Sequence, residues 1–321
     1  MAVVPDWVAS CPFNLRGAAV LDAHAAFKKT KDKTKPRFRS CRDSVHSFKL
    51  QSANWKNEVT YPTHKTDSGV RLKALSVNAS EPLPVVMPSD FSVILDRGRW
   101  FISYTVLDYG PIQAKPEQAI ALDPGVRTFL TGFDGEQIIE IGKGSISRIV
   151  QLCKRLDALQ SRISTSKGRN QKRKRFSLRK LARQLRIKIT NLVDECHKKA
   201  ACFLTSNYSQ IVIPTFETSD MVYKAKRKIG SKTARSMLTW AHYRFKQRLK
   251  HQAAKRGSAV IEMTEEYTSK TCSKCGHVHR KLGGNKTFKC PECGHKLDRD
   301  ANGSVNIYIK KLSELQALRA G

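Results

Sequence analysis

Apolar positions along the chain change period several times, and each change marks a predicted strand or helix. The run FSVILDRGRWFISYTVL places two apolar strands on either side of the turn residues DRGR. From Gln118, the run AIALDPGVRTFLTGFDGEQIIEIGK predicts three more strands, with a hairpin turn at Asp134-Gly135. The segments QIVIP at 210–214 and AVIEM at 259–263 add two further strands. The pattern therefore predicts a β-rich beginning followed by a second sheet.

Helical periodicity fills the segments between these strands. It predicts a short helix over Leu15–Lys28, two long helices in a hairpin over 145–204 with a break at 164–170, and a closing helix over Ala301–Ala317. A basic helix is predicted over Lys232–Arg256. Four residues at helical spacing form the predicted core face of that basic helix: Trp240, Tyr243, Phe245 and Leu249. The combination of sheets and helices predicts an α/β protein.

The balance of charged residues indicates which class of partner the protein binds. Among 321 residues, 59 are Lys or Arg and 27 are Asp or Glu, which gives a formal net charge of +32. Such an excess favours a polyanionic partner, and nucleic acid is the expected one. The sequence contains no uncharged run near the ~18 residues that a membrane span needs, and MAVVPDWVAS does not read as a secretory signal. We therefore expect an intracellular protein without a membrane partner.

One basic stretch is the strongest candidate for phosphate contacts. Eleven Lys or Arg and no acid occur between Lys167 and Lys188. The residues predicted to bind nucleic acid are Lys167, Arg169, Lys172, Arg173, Lys174, Arg175, Arg179, Lys180 and Arg183. Within them, KRKR at 172–175 also fits a nuclear-import signal if the host is a eukaryote.

The cysteines predict a metal site. Cys272-Ser-Lys-Cys275 and Cys290-Pro-Glu-Cys293 are two CxxC pairs, each followed by glycine, and they predict a structural zinc ion held by four thiolates. The neighbouring residues His277, His279 and His295 are predicted to be surface or phosphate-contacting groups, because four sulfurs complete the shell. Core packing is the expectation for the remaining cysteines: Cys11, Cys41, Cys153, Cys196 and Cys202.

Two aspartates lie where a catalytic metal site would need them. Asp123 is at the end of an apolar strand, and Asp300 immediately precedes the closing helix. Two-metal phosphodiester hydrolysis requires acidic groups from separate elements that converge on two cations. The alternatives are structural: Asp123 could form a turn before Pro124, and Asp300 could cap the helix, which Asp298 could do equally well.

The order of these motifs resembles a known family. From about residue 93, the chain carries ALDPGVRTFLTGFDG, the basic helical hairpin, YTSKTCSKCG, FKCPECGHKLDRD and DANGSVNI, and it is similar to the TnpB proteins of transposons and their eukaryotic and viral Fanzor relatives. The resemblance implies an RNase H-like (RuvC-type) core, a guide RNA, a double-stranded DNA target, and Mg²⁺ held by three carboxylates. Asp123 and Asp300 match two of them, and Asn306 matches a supporting asparagine.

The domain organisation implied by this resemblance has three parts. Residues 1–115 would form an N-terminal β-rich recognition domain that is shorter than usual in the family. Residues 116–267 and 296–321 would form the nuclease domain, including the hairpin 145–204. Residues 268–295 would form an inserted four-cysteine zinc ribbon that binds the target nucleic acid.

The third carboxylate departs from the bacterial pattern. TnpB proteins have glutamate where this chain has Pro214, whereas the Fanzor branch resembles it in carrying a replacement glutamate before YTSKTC. Glu265 is the predicted replacement, with Glu266 as the alternate and Glu217 a more distant third; two solvated carboxylates are the structural alternative. The expected function is an RNA-guided, magnesium-dependent DNA endonuclease encoded by or derived from a transposon. The alternatives are a catalytically inactive guide-RNA- and DNA-binding derivative, or a transposase accessory protein.

Overall fold

The structure is a computed structural model. It describes residues 5–9, 11–30, 40, 43, 45–56, 59–60, 64–65, 71–72, 75–76, 78–107, 117–215, 222–223, 229–264, 268–280, 282–283 and 285–320. The chain divides into two compact units, Met1–Tyr109 and Gly110–Gly321, each of which is described by itself.

The first unit combines two helices with antiparallel sheets. Helices α1 (Asp6–Ala9) and α2 (Phe13–Thr30) precede strand β1 (Val45–Leu50), which pairs with the hairpin β7 (Phe91–Asp96) and β8 (Arg99–Tyr104) in the order β1-β7-β8. Short strands lie between them: β2 (Trp55–Lys56), β3 (Val59–Thr60), β4 (His64–Lys65), β5 (Arg71–Leu72) and β6 (Leu75–Ser76). The predicted DRGR turn is present, because Arg97 and Gly98 both have positive φ, as a tight hairpin turn requires.

The second unit is built on a mixed five-stranded sheet. Its strands are β9 (Ala119–Pro124), β10 (Leu130–Phe133), β11 (Ile138–Ile141), β12 (Gln210–Pro214) and β13 (Ala259–Met263), in the order β11-β10-β9-β12-β13. The first three strands along the chain pair antiparallel, whereas β12 runs parallel to both of its neighbours. All five strands lie where the apolar pattern predicted them, and the two parallel pairings confirm an α/β arrangement.

Helices pack around this sheet. The basic hairpin consists of α3 (Ser145–Thr165) and α4 (Lys172–Asn207), joined through a short 3-10 turn at Arg169–Gln171. The chain ends in α7 (Arg299–Ala320), after a small hairpin of β14 (Thr287–Lys289) and β15 (Lys296–Asp298). A shared core between the sheet and its helices contains Ile120, Phe129, Leu204, Ile211 and Trp240 among others.

The single basic helix predicted over Lys232–Arg256 is wrong. The structure has two helices, α5 (Ser231–Trp240) and α6 (His242–Arg256), separated by Ala241 with a φ of 50°. Trp240 and His242 are both buried. In a continuous helix these two side chains would point about 200° apart, so the break at Ala241 turns both inward. The predicted core face holds for Trp240, Phe245 and Leu249, but Tyr243 is 66% exposed.

The predicted core positions of the cysteines outside the CxxC pairs are confirmed for some and wrong for others. Cys153 is buried and Cys196 is partly buried against the same core, as predicted. Cys202, however, is exposed on the outer face of α4, so its predicted core position is wrong. Cys41 lies outside the described residues. Among the described helices, none is both long enough and apolar enough to cross a membrane.

Candidate functional site

Asp123 belongs to a strand and not to a turn. It pairs with Thr131 across β9 and β10, and the turn begins only afterwards, where the Gly125 N–H donates to the Phe129 carbonyl at 3.1 Å. The strand places the Asp123 carboxylate at the carboxyl end of β9, half-buried. The strand pairing therefore places Asp123 before the turn.

Asp300 lies in the first turn of α7, and it does not cap the helix. The capping acceptor is Asp298, whose Oδ1 receives the Asp300 backbone N–H at 3.0 Å. Burial raises the pKa of Asp300, and the negative charge of Asp298 acts in the same direction. The Asp300 carboxylate is thus a desolvated anion that helix capping does not require.

Two close approaches bring Asp123 and Asp300 to one place. A β-carbon added at Gly303, one turn along α7 from Asp300, would collide with Oδ2 of Asp123. A β-carbon added at Gly125, two residues after Asp123, would lie 3.3 Å from Oδ2 of Asp300. The end of β9 and the first turn of α7 are therefore in contact through both carboxylates. Carboxylate oxygens are the ligands that Mg²⁺ prefers, so the donor set fits this ion.

The neighbouring strand offers no third carboxylate at the same level. Val212 of β12 is paired with Ala121, so two residues further along the parallel strands Pro214 is level with Asp123. Pro214 is buried and is paired in turn with Met263 of β13. Glu265, Glu266 and Glu217 all lie outside the described residues.

Two histidines fix the loop that follows Asp123. Phe129 is stacked between His197 and His242, at ring distances of 5.1 and 5.2 Å, while the Trp240 indole N–H donates to the Val126 carbonyl at 3.0 Å. Burial lowers the pKa of both histidines to about 4. They are neutral near pH 7 and hold the loop by packing. The sequence reasoning missed this stack.

An asparagine pair on α7 ties the cysteine-rich segment to the same helix. The Asn302 amide donates to the Thr271 carbonyl at 2.8 Å, and its Oδ1 accepts the Ser273 N–H at 3.2 Å. Asn306 donates to the carbonyls of Thr268 and Thr271, both at 2.7 Å. Asn306 thus supports the backbone around the site. Asn302 escaped the sequence reasoning, although the i, i+4 spacing of the two asparagines in DANGSVN was a usable signal.

The four predicted cysteines form a metal-binding cluster. Their sulfurs all lie within 4.8 Å of one another, with 3.7 Å between Cys272 and Cys293 and 3.6 Å between Cys275 and Cys290. A tetrahedral site with Zn–S bonds of 2.3 Å has sulfur–sulfur edges of about 3.8 Å, so these spacings fit zinc.

The two CxxC turns have the same backbone geometry. The N–H groups of Gly276 and Gly294, both with positive φ, donate to the carbonyls of Cys272 and Cys290 at 2.9 and 3.2 Å. Each first cysteine also donates its N–H to the carbonyl of a histidine five residues later, at 2.9 Å. The histidines thereby contribute main-chain atoms, and no histidine side chain joins the described cluster.

The basic hairpin presents most of its predicted contacts to solvent. Eight side chains are exposed and form no ion pair within the described residues: Lys167, Arg169, Lys172, Arg173, Lys174, Arg179, Lys180 and Arg183. Arg175 is half-buried and donates to the carbonyls of Ser166 and Gly168 at 2.9 and 2.7 Å. Arg175 therefore closes the bend between α3 and α4, and the exposed cations surround it.

Comparison with known proteins finds relatives that are similar over part of their length. A family model described as "Cas12f1-like, TNB domain" matches residues 242–307. A protein of Paramecium bursaria Chlorella virus 1 with a provisional transposase name is 35% identical over 60% of this chain and 43% of its own. A TnpB-like protein of Acanthamoeba polyphaga mimivirus is 32% identical over 60% of this chain and 37% of its own. An Escherichia coli protein, provisionally named an RNA-guided DNA endonuclease, is 28% identical over 65% of this chain and 53% of its own.

The matches therefore extend over roughly 40 to 50% of these relatives' lengths. The matched family domain begins at α6 and ends in α7, so it contains the cysteine cluster, Asp300 and the asparagine pair. These are the elements whose order in the sequence resembled TnpB. Over these elements the chain is similar to TnpB-like proteins.

Proposed function

We propose that this chain is an RNA-guided, magnesium-dependent DNA endonuclease of the RuvC type, encoded by or derived from a transposon. The contact between the end of β9 and the first turn of α7 carries the proposal, because it places the carboxylates of Asp123 and Asp300 together. Asp123 lies in a strand, and the capping acceptor of α7 is Asp298 and not Asp300. The provisional name of the Escherichia coli relative supports the RNA-guided activity.

Glu265 is the proposed third ligand. Met263 is level with Pro214 in the neighbouring strand and packs in a cluster with Ile307 of α7. Glu265 precedes YTSKTC, where the Fanzor relatives resemble this chain in carrying a replacement glutamate. Glu266 is the alternate, because two successive residues of an extended segment cannot both face one metal. The lost carboxylate at Pro214 would then be replaced from the adjacent strand.

The three carboxylates would act together in the proposed reaction by holding magnesium. Magnesium bound by Asp123, Glu265 and Asp300 would lower the pKa of a water and stabilise the leaving oxygen of the phosphodiester. The desolvated Asp300 would gain from a cation, because a buried carboxylate is costly without a positive partner. The neutral histidine stack holds the Asp123 loop in place.

The remaining parts would bind and position nucleic acid. The cysteine cluster is proposed to hold structural zinc, and the eight exposed cations between Lys167 and Arg183 to contact the backbone of guide RNA or target DNA. KRKR at 172–175 would direct the protein to the nucleus in a eukaryotic host.

The test is a reconstituted cleavage reaction. The protein is purified from cells that contain its native flanking DNA, the bound RNA is sequenced, and the complex is incubated with Mg²⁺ and a matching DNA library. We expect cleavage that disappears in Asp123→Ala and Asp300→Ala and in Glu265→Gln, but persists in Glu266→Gln and Glu217→Gln. Loss in Glu266→Gln alone would transfer the ligand role to Glu266.

A catalytically inactive RNA- and DNA-binding derivative is the second candidate. It is favoured by one observation, the buried proline level with Asp123 in β12. Bound RNA without cleavage under any of these conditions would establish that alternative and reject the nuclease.

A further inference from the structure

Helix α6 divides into three faces with different partners. Its core face is formed by His242, Phe245, Leu249 and Ala253, all buried. A second face directs Lys246 and Lys250 onto the carboxylate of Glu262, with a Lys246–Glu262 distance of 2.7 Å. The third face carries basic residues at i, i+4, i+7 and i+11: Arg244, Arg248, His251 and Lys255. We call these four residues the α6 basic stripe.

The α6 basic stripe borders a groove on α4. The groove has a volume of about 550 Å³ and is lined by Lys198 and Cys202 of α4, by Arg244, Arg248 and His251 of the stripe, and by polar Gln247 and Gln252. Most of its lining side chains are basic or polar. A long, charged ligand fits this surface better than an enclosed small molecule does.

Asp194 pairs with both Arg244 and Arg248, so one negative charge is shared between two positive charges. Asp194 accepts from Nη2 of Arg244 and from Nη1 of Arg248, at 2.9 Å each. A single carboxylate therefore fixes two guanidinium groups, whose side chains remain 42% and 31% exposed. Guanidinium groups held in this way keep further N–H donors for a second anion, and their planar geometry matches phosphate oxygens.

The stripe begins at the edge of the sheet that carries Asp123. His242, the first residue of α6, stacks on Phe129 in the loop that follows Asp123. From Arg244 to Lys255 the helix rises about 16 Å. A nucleic-acid strand with one charge per roughly 3.4 Å would place about five phosphates along this distance.

We propose that the α6 basic stripe and Lys198 form a binding track for a nucleic-acid phosphodiester backbone that leads to the Asp123 edge. The track is separate from the exposed cations of the α3–α4 bend. It deepens the proposed function, and it rests on nucleic-acid binding but not on cleavage.

The test is the salt dependence of binding. The double variant Lys198→Gln/Arg248→Gln removes two track charges while Arg244 still pairs with Asp194. The control is Lys154→Gln/Arg155→Gln, two exposed cations of α3, and the comparison variant is Lys172→Gln/Arg173→Gln in the basic hairpin. The probes are single-stranded RNA, duplex DNA and an RNA–DNA hybrid of about 20 nucleotides. Dissociation constants are measured by fluorescence anisotropy between about 50 and 200 mM salt.

The track variant should lower the slope of log K against log salt by about 2 and weaken binding roughly tenfold or more, whereas the α3 control leaves both unchanged. A lower slope with RNA alone identifies guide RNA as the occupant; a lower slope with duplex DNA alone identifies the target. Lys198→Gln alone should lower the slope by about 1, which keeps the test decisive if the double variant unfolds. If the track variants kept the wild-type slope of log K against log salt with all three probes, the proposal of a binding track would be wrong. If only the hairpin variant lost affinity, the proposed function would survive that failure; if no variant changed the slope, nucleic-acid binding by these elements would fail with it.

Discussion

Replacing Asn302 should loosen the cysteine-rich segment from α7. Asn302 is fully buried and makes two hydrogen bonds, to the Thr271 carbonyl and from the Ser273 N–H. In Asn302→Ala, the Thr271 carbonyl keeps its bond from Asn306, but the Ser273 N–H loses its partner. An unsatisfied buried donor costs about 1–3 kcal/mol, and the other lost hydrogen bond costs about 1 kcal/mol. We therefore expect a loss of about 3 kcal/mol.

The magnitude can be measured by thermal unfolding. For a unit the size of Gly110–Gly321, a loss of about 3 kcal/mol corresponds to a decrease in Tm of roughly 6–12 °C. Because Ser273 follows Cys272 directly, zinc release to a chromogenic chelator should also become about tenfold easier or more, as for other losses of outer-shell support. Asn207→Ala is the matched control: its side chain also donates to a carbonyl, that of Phe203, but is exposed. Equal Tm values and equal zinc release for the two variants would refute the proposed role of Asn302 in holding the cysteine-rich segment on α7.

Two further predictions concern α6 and α7. In Glu262→Gln, the two lysines lose a carboxylate whose pKa they hold below its usual value, first through the Lys246 hydrogen bond and then through that of Lys250. Because the folded-state pKa is lowered, the stabilisation of about 1 kcal/mol is present above the ordinary glutamate pKa and disappears as the pH falls through the folded-state pKa, so wild type and variant should converge in urea unfolding at acidic pH. In Gly303→Leu, the new side chain meets Asp123, and we expect Mg²⁺-dependent cleavage to fall at least about a hundredfold, as for other small displacements of a catalytic group. The control Gly17→Leu, in open space on α2, should cleave normally, and equal rates for the two would contradict the contact.

The strands of the second sheet were predictable because burial imposes a simple pattern on them. QIVIP and AVIEM are apolar runs too short for helices, and they lie between helical segments, as parallel strands do. The break at Ala241 was not predictable, because the segments MLTW (237–240) and HYRF (242–245) both favour helix, and local propensity does not record that Trp240 and His242 must face one core. Only the tertiary packing imposes a left-handed residue between them.

Some parts of the candidate site could be predicted from the sequence and others could not. The cysteine cluster follows from local spacing, since each CxxC turn is closed by its own backbone hydrogen bonds. The contact between Asp123 and Asp300 depends on Gly125 and Gly303, which are far apart in sequence and carry no local signal of their approach. The role of Arg175 was hidden for a similar reason: within an acid-free run, nothing in the sequence separates a cation that binds backbone carbonyls from its exposed neighbours.

The cysteine-rich segment and Asp123 both contact the first turns of α7. The segment enters through Thr268, Thr271 and Ser273, which bond to the asparagine pair of α7. It leaves through Asp298, which caps the same helix. Both ends are therefore anchored on the first turns of α7, where Asp300 and the Gly303 contact with Asp123 also lie. If the cysteines bind a metal that orders both ends of the segment, we expect that metal to favour the geometry of the carboxylates as well. Because such coupling is reciprocal, a cation at the carboxylates would then strengthen metal binding at the cysteines by the same factor.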